Sequence, residues 1–128
     1  MKAHTKITLK ELIARKEQIL EAKKTPKTVD LYIPSLDGTV TIEEPDRDLV
    51  IEAQGMDGTV GDIYMVYQCV IEPPLKSTDL QKEFDCKEPM EIVDKIFASG
   101  EIPAIARECM VLAGYGDGVK PIVEDLKN

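Results

Sequence analysis

The chain has 128 residues, 43% hydrophobic and 31% charged, with two Phe, four Tyr and no Trp; that suits one globular domain whose core needs no metal or disulfide. Its formal charge of −8 hides an asymmetry, because the first 27 residues hold eight Lys or Arg against three Glu, a net of +5, and leave −13 on the rest. An acidic main body is poorly suited to sequence-independent binding of phosphate backbones, so nucleic acid is not an expected partner.

Thr8-Leu9-Lys10-Glu11 reads as a capping box, with Ile7 and Leu12 at the positions of a hydrophobic staple. The spacing predicts an amphipathic helix over about Leu9 to Lys23, with Leu9, Leu12, Ile13 and Leu20 on a narrow stripe interrupted by Lys16. After Pro26 the period changes to two. Val29, Leu31 and Ile33 alternate with polar residues, as do Val40 and Ile42, around the turn residues Pro34 to Gly38. This predicts a β-hairpin with Gly38 free to take positive φ. An isolated hairpin is marginal, so it must lie on helices or pair with another chain.

Glu44-Pro45 predicts a helix start, with Asp46 and Asp48 at its positive end and Gly55 as its stop. Thr59-x-x-Asp62 predicts the next, and Ile63 to Ile71 make it apolar almost all round, the expected central buried element. The same Tyr, Val and Ile content suits a buried strand; the cap and the length up to Pro73 favour helix. Beyond Pro73-Pro74, Thr78-x-x-Gln81 predicts a short helix carrying Leu80 and Phe84. A second is expected from Pro89 to about Phe97, and a third from Pro103 to Ala113, ended by Gly114.

The expected fold is mainly α with a small β-hairpin, an α+β chain forming a compact bundle of five or six short helices with an N-terminal amphipathic helix. Its expected organisation is a basic helical segment over 1–27, one globular domain over 28–115 (hairpin 28–43, helices 45–113), and a flexible tail over 116–128.

Little points to catalysis. His4 is the only histidine and lies near the terminus; Cys69, Cys86 and Cys109 are too widely spaced for a CxxC pair, so a zinc site of ordinary spacing is not expected. Three such cysteines suit free thiols in a reducing compartment. Gly114-Tyr115-Gly116-Asp117-Gly118 looks like a phosphate cradle, but it follows a helix and lacks the Lys-Ser/Thr that should come next. Glu44, Asp46 and Asp48 crowd one helix start, where the helix dipole accounts for them. Neither cofactor nor metal nor catalytic residue is therefore assigned. No apolar run approaches the ~20 residues of a membrane span, and the N-terminus lacks the apolar stretch of a secretory signal; action in the cytoplasm is expected. A protein-binding module leads by elimination, with Tyr32 and Tyr115 as aromatics uncommitted to the core.

From Tyr32 onward the chain resembles the XkdN-like tail assembly chaperones of phages and phage-derived elements. The resemblance rests on Tyr32-Ile33-Pro34-Ser35-Leu36-Asp37-Gly38, Val70-Ile71-Glu72-Pro73-Pro74-Leu75-Lys76, Leu80-Gln81-Lys82, Pro89 to Phe97, Gly100-Glu101-Ile102 and Gly114-Tyr115 in that order. It implies a non-enzymatic assembly factor that coats the aggregation-prone tape measure protein, helps recruit tail tube protein, self-associates, and is missing from the mature virion. Two surfaces are expected to serve those partners: the first helix through Leu9, Leu12, Ile13, Lys16 and Leu20, and the region of Leu75, Leu80 and Phe84 with Tyr115, where prolines hold a turn outward. Tyr32 is a further candidate contact. The rival readings are another phage morphogenesis protein, such as a head–tail connector or tail terminator, and a small nucleic-acid-binding regulator using the basic first helix.

Overall fold

The computed structural model of the protein describes residues 5–116 and 118–122. Its elements in chain order are α1 (Leu9–Ala14), α2 (Lys16–Lys24), β1 (Thr28–Ile33), a 3-10 turn (Pro34–Leu36), β2 (Gly38–Glu43), α3 (Arg47–Gln54), α4 (Gly58–Cys69), β3 (Val70–Glu72), α5 (Thr78–Glu83), α6 (Glu91–Ile96) and α7 (Glu101–Leu112). The α+β expectation holds, with seven helices and a three-stranded antiparallel sheet among the described residues.

The first helix forms with the predicted capping box: the Glu11 N–H donates to the Thr8 hydroxyl at 3.1 Å, and the Thr8 N–H donates to the Glu11 carboxylate at 3.0 Å. It is not continuous. At Arg15 the backbone leaves helical geometry (φ −93, ψ 8) and its N–H is shared between the carbonyls of Glu11 and Leu12, a tightened turn that divides α1 from α2.

The hairpin pairs Thr28 with Glu43 through Ile33 with Gly38. Its left-handed residue is Asp37 (φ 48), where the sequence pointed to Gly38. Asp tolerates that conformation, and its carboxylate there accepts the Tyr32 hydroxyl at 2.8 Å. The alternation puts Ile33, Val40 and Ile42 into the core and Thr28, Asp30 and Tyr32 on the opposite face. The sheet order is β1-β2-β3, and β3 is the element the sequence did not disclose. The apolar run read as one helix to Pro73 divides at Val70, whose backbone turns extended (φ −76, ψ 112) and pairs with Ile42. A register irregularity lies between Thr41 and Ile42, and the Glu72–Pro73 peptide is cis.

Helix starts differ from their predicted caps. Asp46 caps α3, its carboxylate accepting the Leu49 N–H at 2.9 Å, so Pro45 precedes the helix instead of taking its first position. Helix α4 begins at Gly58 with no side-chain cap, so Thr59 and Asp62 do not form the expected pair. Ser77 caps α5 through the Leu80 N–H, leaving Gln81 free to donate to the Leu75 carbonyl at 2.9 Å. The end of α7 matches expectation. Gly114 takes φ 93, its N–H donates to Val111 C=O and the Tyr115 N–H donates to Met110 C=O, a Schellman stop.

One core joins the sheet to α3, α4, α6 and α7, with Ile42, Val66, Ile92, Val93 and Cys109 fully buried. Helices α3 and α4 approach closely at Gly61 of α4, where a Cβ would collide with the carbonyl oxygen of Ala53 in α3. Glycine lets those two helices touch backbone to backbone.

Candidate protein-interaction surfaces

The two first helices bury none of their residues. Leu9 is 75% exposed, Ile13 65%, Leu12 49% and Leu20 47%. Leu12, Ile13, Lys16, Ile19 and Leu20 line one open, shallow apolar groove, so the stripe inferred from spacing exists as a surface even though Arg15 interrupts the helix. Ile19, half-buried, belongs to it and was missed. Its spacing of seven from Leu12 was the available signal. Lys10, Lys16, Lys23 and Lys24 of these helices are all exposed. At its C-terminal end α2 meets the main body: Ala22, Lys23 and Lys27 share a cleft with Glu44, Arg47 and Tyr115.

The second expected surface divides. Leu75 is 1% exposed and belongs to the core, so the prolines do not hold it outward. The reason is local. Extended β3 and the turn at Pro73-Pro74 lead the chain back over α4, and the Leu75 carbonyl is fixed by Gln81. Leu80 is half-buried against that core, while Phe84 at the end of α5 is exposed. Tyr115 lies in the cleft beside α2, away from the grouping in which the sequence placed it. Tyr32 is exposed on the outer face of the hairpin, its hydroxyl committed to Asp37, which raises its pKa.

Three carboxylates around α3 are hydrogen-bonded within the fold. Glu44 accepts the Lys27 N–H at 2.9 Å, Asp46 caps α3, and Glu52 accepts the Tyr64 hydroxyl at 2.7 Å, raising the pKa of that phenol. Among the described residues no group of three or more His, Cys, Asp and Glu could hold a metal ion; His4 lies outside them. Cys69 and Cys109 are buried free thiols, and the neighbouring Cys69, together with burial, pushes the Cys109 thiol far up. The glycine-rich segment at Gly114 begins at the C-terminal end of a helix, where orphan groups are carbonyls that repel phosphate. Its Asp117, and most of the expected tail from Val123 onward, lie outside the described residues. No described helix is long and apolar enough to cross a membrane.

In fold the chain is similar to the crystal structure of the protein yqbn, a structural-genomics target, with a TM-score of 0.58 at 12% identity over 71% of this chain and 87% of that one. No curated protein matches. The family model of the phage XkdN-like tail assembly chaperone protein matches residues 41–127, from the middle of β2 through the C-terminal segment. The stretch from Tyr32 to Gly38 precedes that match. With two-thirds of its length so matched, the chain belongs to the phage XkdN-like tail assembly chaperone family.

Proposed function

We propose that the chain is a non-enzymatic chaperone that coats the tape measure protein during tail assembly, with the segment 1–27 acting as the docking arm of a globular unit over 28–115. The supporting observation is the apolar stripe of Leu9, Leu12, Ile13 and Leu20, which stays exposed on two helices that bury no residue. A stripe of that kind suits helix-against-helix contact, each leucine covering apolar surface on a long helical partner. The acidic main body then keeps a coated complex dispersed by net charge. Recruitment of tail tube protein and association between copies complete the proposed role, carried out in the host cytoplasm.

Mass spectrometry of purified particles tests the role. A chaperone of this kind is missing while tape measure and tube proteins are found; its presence at defined stoichiometry would instead identify a connector or terminator.

A further inference from the structure

The outer edge of β1 is open. The Glu44 N–H donates to the Lys27 carbonyl at 2.8 Å, which fixes the phase of the ladder: Val29, Leu31 and Ile33 direct their backbone groups to β2, and Thr28, Asp30 and Tyr32 direct theirs away. No backbone hydrogen bond reaches those outward groups among the described residues, and no strand lies beyond β1. Edge strands are ordinarily blunted by proline, lysine or a bulge. This one is six residues long, without proline, lysine or bulge, and Asp30 is its one charged residue.

A groove of about 260 Å³ runs beside the edge, between β1 and α7. Leu31, Ile33, Ala104 and Ile105 make it apolar, and Glu101 and Glu108 are its only charged residues. Glu101 is occupied by Ser35 and Ala98, but Glu108 is exposed at the rim. Asp30 lies on the opposite face of the strand, where its carboxylate accepts the Thr41 hydroxyl. This acidic setting and the −13 carried by residues 28–128 disfavour a second copy paired edge to edge, because pairing centred on Asp30 sets two carboxylates opposite each other.

We infer that the β1 edge and its groove accept an extended segment of a partner protein, adding a fourth strand, with apolar residues at alternate positions and at least one Lys or Arg directed at Glu108. Three outward N–H and C=O pairs supply the affinity and the apolar groove with its acidic rim supplies the selection. This site is separate from the helical stripe of the proposed role, and its failure would leave that reading standing.

The test uses the isotopically labelled full chain and a blocked octapeptide alternating threonine and valine, with one inner valine replaced by lysine so that its ammonium shares the groove-facing side with the remaining valines. Addition should protect the amides of Thr28, Asp30 and Tyr32 from hydrogen exchange by about tenfold or more. A glutamate-for-lysine peptide, the same lysine peptide N-methylated on alternate amides, and the Glu108→Lys protein should each bind about tenfold more weakly. The N-methylated probe changes nothing in the protein, so it reads edge pairing independently of folding. The inference is overturned by absence of protection at millimolar peptide, by equal binding of the N-methylated or glutamate peptides, or by protection that arises without peptide and grows with protein concentration, which would mean a second copy takes the edge.

Discussion

Ser35, in the hairpin loop, and Glu101, at the start of α7, stand 66 residues apart and are joined twice: the Ser35 hydroxyl donates to one carboxylate oxygen at 2.7 Å and its N–H to the other at 2.9 Å. The Ala98 N–H also donates to Glu101 at 2.9 Å. One carboxylate thus ties the sheet to the helix that packs beneath it, beside the groove flanking β1.

That arrangement predicts a pH dependence. The Ser35 hydroxyl and then its N–H hold the Glu101 pKa below the ordinary 4.5. A group whose folded pKa is depressed adds stability that is present above its unfolded pKa and is lost as pH falls through the folded one. Urea midpoints should therefore decline as pH drops below 4.5, and Glu101→Gln should flatten that decline. An unchanged slope in the variant would remove Glu101 from the account.

The contact of α3 with α4 through Gly61 predicts a sensitivity of a different kind. Gly61→Ala puts a methyl against the Ala53 carbonyl, which the backbone must move to admit. The cost should be about 1–3 kcal/mol, measured by denaturant unfolding. Ala at Gly58, where a Cβ meets nothing within 4 Å, is the control and should cost nothing measurable.

The placement of Leu75 gives a third expectation. Because it is 1% exposed, Leu75→Ala should destabilise by about 2–5 kcal/mol, whereas Leu12→Ala on the open stripe should stay within about 0.5 kcal/mol. Equal effects at the two positions would contradict the division between the core and the exposed stripe.

Thiol titration supplies a fourth. Cys86 is half-buried and should react with a disulfide reagent in the native state, while Cys69 and Cys109 should wait for unfolding. Burial keeps the reagent from both, and contact with Cys69 together with burial holds Cys109 in the thiol form, whereas the thiolate is the reactive species.

Much of the fold was legible because it depends on local chemistry. Thr8 with Glu11 announced a capping box, the alternation from Val29 to Ile42 announced a hairpin, and Gly114 announced a helix end. What was not legible depended on partners distant in sequence. Val70 to Glu72 is strand only because Thr41 and Ile42 lie beside it, and apolar runs of that length satisfy helix and strand alike. The path that buries Leu75 is likewise set by α4 and Gln81, not by its proline neighbours alone. The stripe on α1 and α2 could be drawn from spacing. Spacing could not say whether it was covered, since core and docking surfaces obey the same period.

The central claim is that this uncovered stripe engages the tape measure protein. Its most direct test is the amount of soluble tape measure protein recovered when it is coexpressed with the wild-type chain or with the double variant Leu12→Asp, Ile13→Asp. The account predicts a variant that keeps the wild-type circular dichroism and melting temperature but leaves the tape measure protein in the insoluble fraction. A variant that unfolds, or one that keeps the tape measure protein as soluble as wild type does, would contradict it.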